Sequence, residues 1–162
     1  MKNISYTCLY LLAIVAANLS VAHFGASSTV VNAFLFIGLD LTSRDKLHEA
    51  WHKNGLLWKM ALLIGFGSLI SWVLNRNAGQ IAVASFAAFG CAAVVDTMIY
   101  HLLHEREYMV KVNGSNVVSA AVDSLVFPTL AFGAFMPTIV LGQFVAKVFG
   151  GFIWSLILRR NK

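Results

Sequence analysis

Four long apolar runs divide the chain, at residues 4–22, 56–74, 81–103 and 139–158. Each meets the roughly 20 residues that a helix needs to cross the hydrocarbon core of a bilayer. A fifth run, residues 117–135, has the length but carries Asp123 and Pro128. A sixth, residues 30–41, is short and holds Asn32 and Asp40. Extended to residues 28–42 it would rise only about 21 Å as an α-helix, against a core of about 30 Å. It reads as a short span or a re-entrant hairpin.

Composition removes the soluble alternative. Of the 162 residues, 59% are hydrophobic and 12% charged, where soluble domains have about 45–50% and 25%. A mean hydropathy of +0.75 leaves too little polar surface to cover a globule in water. The expected fold class is all-α, one polytopic membrane domain over residues 1–162 with six transmembrane helices. That length leaves no room for an appended ATPase, kinase or nucleic-acid domain. Cys8 and Cys91 lie inside apolar runs, so no disulfide framework is expected.

Charge placement resolves the doubtful span. If all six runs cross, one side holds Lys2, Arg44, Lys46, Lys53, Lys59, Arg106, Lys111, Arg159, Arg160 and Lys162, and the other only Arg76. If residues 30–41 do not cross, the two sides become nearly equal. The first arrangement has the basic bias of cytoplasmic loops, so six spans with both termini in the cytoplasm are expected. The first run could pass for a secretory signal, but it exceeds the usual apolar core of 7–15 residues. An uncleaved first helix is expected. Glycines and alanines within the runs are explained by close helix packing.

Asp40, Asp96, Asp123 and Lys147 fall within or at the edge of apolar segments. An ionisable side chain at a helix centre costs about 2.5–3.5 kcal/mol on insertion scales. One pair could act as internal glue, Lys147 with Asp96 or Asp123. Three acids against one base still leave two carboxylates without a cation, which favours a polar chamber in which these groups converge. Helical spacing agrees. Asn116, Ser119, Asp123 and Phe127 share one face, as do Gln143, Lys147, Gly151 and Trp154, and Asp96 lies one turn from Tyr100 and two from Phe89. Polar groups striped with rings suit a flat, hydrogen-bonding ligand. Pro128 removes an amide and displaces the Ser124 carbonyl, so the fifth helix is expected to bend or break beside Asp123.

His48-Glu49-Ala50-Trp51-His52 matches the H-E-x-x-H zinc protease signature. It lies in the most charged stretch of the chain, residues 42–53, and no third ligand has a diagnostic spacing. An amphipathic cytoplasmic connector explains it as well. The segment Asn113-Gly114-Ser115-Asn116 reads as a turn and helix start, with Ser115 or Asn116 as cap.

Several segments together resemble the vitamin uptake transporter family, whose bacterial members include queuosine precursor transporters. They are Ala17-Asn18-Leu19, residues 32–40, residues 88–96 with Tyr100 following, and Lys147. The most specific block is Gly114-Ser115-Asn116-Val117-Val118-Ser119 through Asp123-Ser124-Leu125-Val126-Phe127 to Ala131-Phe132. The likeness runs from residue 18 to residue 158. It implies a six-helix inner-membrane carrier, similar in architecture to the substrate-binding subunits of energy-coupling-factor transporters, for the 7-deazaguanines preQ0 and preQ1. Binding positions implied by the resemblance are Asn18, Asp40, Asp96, Asn116, Ser119, Asp123 and Lys147. Tyr100, Phe127 and Gln143 join them from the stripes. In one place the chain departs from the family: Ser43 stands where a glutamate commonly follows the aspartate at Asp40.

The expected function is uptake of a small planar nucleobase-like compound across a bacterial inner membrane, without covalent chemistry. No enzyme activity, cofactor, resident metal or nucleic-acid partner is expected. The alternatives are a binding subunit that needs a separate energising complex, an intramembrane zinc protease using His48, Glu49 and His52, and a membrane scaffold.

Overall fold

The computed structural model describes residues 2–37, 39, 47, 56–103 and 105–159. These form six helices and no strand. Helix α1 spans Lys2–Phe24. Helix α2 spans Ser28–Asn32 and widens into a π-helical turn over Ala33–Ile37. Helix α3 covers Leu56–Leu74, a 3-10 turn covers Arg76–Ala78, and α4 covers Gly79–Leu102. Helices α5 (Tyr108–Phe132) and α6 (Pro137–Arg159) complete the bundle. Three stretches, Ile4–Phe24, Arg76–Ile99 and Gly114–Phe132, are long and apolar enough to cross a bilayer unaided. Trp58–Leu74 and Pro137–Gly150 are shorter apolar helices.

The burial pattern reverses that of a soluble protein. Leu12, Leu62, Val83, Leu141 and Phe152 are more than 60% exposed, while Asn18, Asn32, Ser119, Gln143 and Lys147 are buried. Apolar side chains facing outward and polar ones packed against each other are what a lipid solvent selects. The chain is an all-α polytopic membrane protein.

Three connections among the described residues are short turns. Gly25, with φ of 72°, ends α1 in the left-handed conformation, and its N–H donates to the Val21 carbonyl at 2.8 Å. Gly133 ends α5 the same way, with φ of 68°. Asn75 caps the 3-10 turn by accepting from the Asn77 N–H at 3.0 Å, and the Arg76 guanidinium lies 3.9 Å from the Trp72 ring centroid. These three turns mark one end of the bundle; the start of α1 and the end of α6 lie at the other. Tyr10, Ile14, Met60 and Ile64 pack together with Leu47 in one apolar cluster, and Val21, Ile81, Ala84 and Ala131 form a second.

Two local expectations change. Helix α5 is not broken at the buried Pro128 but continues past it as one helix. The next turn is supported by the Thr129 hydroxyl, which donates to the Leu125 carbonyl at 2.7 Å. Helix α5 also begins at Tyr108 and continues through residues 113–116, so no turn forms there. Gly114 instead packs against α4, where an added Cβ would meet Leu103 Cδ1 at 3.0 Å.

The irregular helix is α2, and it is pressed against α6. A Cβ on Gly150 would stand 2.5 Å from the Phe34 carbonyl oxygen, and one on Gly142 would stand 2.9 Å from Val30 Cγ2. Backbone cannot yield as a flexible side chain does. Gly150→Ala is therefore expected to destabilise the protein by about 1–3 kcal/mol, the usual range for overpacking. Gly90→Ala, where a Cβ meets nothing within 4 Å, is the matched control in thermal unfolding in detergent.

Candidate functional site

A cavity of about 40 Å³ lies among α1, α2, α4, α5 and α6. Its walls carry Asn18, Thr29, Asn32, Ser85, Asp123, Gln143 and Lys147, with Ala17, Val21, Ala33 and Phe127. Asp123 and Lys147 sit near the middle of α5 and α6. Val21, Thr29, Ser85 and Phe127 all lie toward the end of the bundle that carries the three turns. The cavity therefore extends from mid-depth toward that end, away from the termini. It holds about three waters at roughly 10–15 Å³ each.

Lys147 organises its floor. Its ammonium donates to Asp123 Oδ2 at 2.5 Å, to Ser124 Oγ at 3.1 Å and to Gln143 Oε1 at 3.2 Å. An ammonium has three donors, and all three are taken. The lysine side chain is 3% exposed and that of Asp123 is 24% exposed, and both border the cavity. Asp123 Oδ1 and Gln143 Nε2 have no partner among the described residues.

The wall from α1 and α2 is braced by amides. Asn18 Nδ2 donates to Ser71 Oγ at 3.2 Å, and Ser71 Oγ donates to the Gly67 carbonyl at 2.7 Å. Asn32 accepts from Ser20 Oγ at 3.1 Å and donates to the Ala17 carbonyl at 3.4 Å. Ser71→Ala removes one interhelical bond, worth on average about 0.6 kcal/mol within a membrane. That small loss in unfolding stability should accompany a clear loss of ligand affinity, because the Asn18 amide is then free to turn over. Equal affinities for wild type and variant would show that Asn18 does not meet the ligand.

Of the residues singled out in the sequence, Asn18, Asp123, Phe127, Gln143 and Lys147 line the cavity. Asp96, Asn116 and Ser119 do not. Asn116 lies seven residues before Asp123, about 10 Å along the helix, so it shares a face with the cavity but not a depth. The Ser119 hydroxyl donates back to the Asn116 carbonyl at 3.1 Å. Asp96 lies nearer the other end of α4, and its Oδ1 is buried with no partner among the described residues. The expected convergence of three acids on one amine thus reduces, among the described residues, to one pair. Asp40, the side chains of Tyr100 and Trp154, and the His48–Glu49–His52 segment lie outside the described residues. Sequence reasoning missed Thr29, Asn32 and Ser85 as wall residues. Asn32 was visible, but only as an interruption of a short apolar run.

Outward-facing apolar helices around a mid-depth cavity bordered by Asp123 and Lys147 are an arrangement that a membrane carrier can use. The family comparison gives the same class: residues 4–158 match the family model described as "Putative vitamin uptake transporter". The chain belongs to that family. No curated protein and no solved structure matches it.

Proposed function

We propose that the chain takes up a small planar nucleobase-like compound across a bacterial inner membrane, with the 7-deazaguanines preQ0 and preQ1 as its substrates. The observation that carries this reading is the carboxylate of Asp123, held by Lys147 through one oxygen and bordering a mid-depth cavity. A deazaguanine presents a ring N–H beside an amino group, and one carboxylate accepts both. Phe127 offers a face for the rings, and the resemblance of the block from residue 115 to residue 132 to queuosine precursor transporters supports the same substrates.

With both termini cytoplasmic, as the basic residues favour, the cavity opens toward the outside. Substrate then enters from the side where it is scarce, and a change in helix packing presents the site to the cytoplasm. A two-ring compound has several times as many heavy atoms as the three waters that fit here, so loading widens the cavity. The test is uptake of labelled preQ0 by cells unable to make it, with and without this gene. Gene-dependent accumulation is expected. Equal uptake in both strains, with the protein verified in the membrane, refutes the reading.

A further inference from the structure

The hydrogen bonds on the far sides of the cavity-lining groups fix which end of each faces inward. An ammonium only donates, so the end of Gln143 that meets Lys147 Nζ at 3.2 Å is its oxygen. The amide NH2 is therefore the other end, and it is buried without a partner among the described residues. Leaving such a donor unpaired is unfavourable, which points to a group that arrives from elsewhere. Ser71 directs its hydrogen to the Gly67 carbonyl, so toward Asn18 it can only accept. Asn18 turns its NH2 to Ser71, and its oxygen has no partner among the described residues. Asn32 is occupied at both ends. The unpartnered ends among these groups are thus the oxygens of Asn18 and Asp123 and the buried NH2 of Gln143, beside the hydroxyls of Thr29 and Ser85.

We propose that Gln143 is a specificity-determining residue that donates to an acceptor on the substrate, and that Lys147 is a positioning residue that locks Gln143 in this polarity without itself touching substrate. This rests on the carrier reading above and narrows the ligand to one with a donor edge beside a carbonyl-type acceptor. A deazaguanine meets it, with ring N–H and amino group toward Asp123 and the carbonyl toward Gln143. An adenine-like edge sets an amino group against the Gln143 NH2 and is rejected. With its three donors already taken and 3% exposure, Lys147 has no hydrogen left for a ligand.

The test compares binding of preQ0 and its 6-thio counterpart to the full-length protein in lipid nanodiscs. The sulfur analogue keeps the ring N–H and amino group but is a poor acceptor. Wild type is expected to prefer the oxo compound about tenfold. Gln143→Met should bring that ratio to within twofold; Lys147→Gln, which lets the amide turn, should do the same, and Lys147→Arg, which can only donate, should keep the wild-type preference. A ratio measured on whatever fraction folds is insensitive to stability, so a merely structural role would leave it unchanged. An unchanged ratio in Gln143→Met overturns the role of Gln143. Loss of the ratio in Gln143→Met but not in Lys147→Gln overturns the positioning role of Lys147. Failure of wild type to bind either compound overturns the carrier reading and this inference together.

Discussion

Lys147→Met is expected to destabilise the protein by about 3 kcal/mol or more, the low end of the cost of leaving half of a buried ion pair uncompensated. The low end applies because Asp123 is partly exposed, so solvent offsets some of the lost attraction. Asp123→Asn should be milder. The lysine then keeps Ser124 Oγ and Gln143 Oε1 as acceptors and gains the oxygen of the new amide. The double variant Lys147→Met/Asp123→Asn carries no buried charge at this position and should recover most of the loss of Lys147→Met. Chemical unfolding in detergent measures all three. A double variant no more stable than Lys147→Met would show that packing of the lysine stem, not its charge, accounts for the loss.

The second large effect is on the ligand. Asp123→Asn is expected to lower the affinity for preQ0 about a hundredfold, even though it is the milder change for folding. Hydrogen bonds to a charged group contribute about 1.5–3 kcal/mol each, so the loss of one or two reaches that size. Geometry adds to the effect. Lys147 draws the oxygen of the new amide toward itself, which turns an NH2 into the cavity where the ligand also presents donors. Direct binding and initial uptake rates at low substrate should fall together. Affinity within threefold of wild type would remove Asp123 from the site.

The long apolar runs gave the helices to within two residues at most ends, because lipid imposes one requirement along a whole span. The run at residues 56–74 and helix α3 coincide. The start of α5 was missed because Lys111, Asn113 and Asn116 interrupt the hydropathy, although backbone bonding continues through them. That Lys147 would pair with an acid was legible, because lipid cannot leave such a charge alone, but not whether Asp96 or Asp123 would supply it. Nor was depth. Asn116 and Ser119 keep the helical spacing of Asp123, yet periodicity records direction around a helix and is blind to where along it a cavity ends. Asn32 and Ser85 were missed for a related reason. Their role depends on what α1 and α6 bring opposite them, and no spacing within one helix encodes that.

The contact of α2 with α6 has a mechanical consequence. With Phe34 against Gly150 and Val30 against Gly142, neither element has slack to slide past the other. Any rocking motion would carry the two as one unit. A Cβ built at position 142 stands 3.8 Å from that of Val30, within the span of a disulfide, so a covalent tie there would join two parts that already touch.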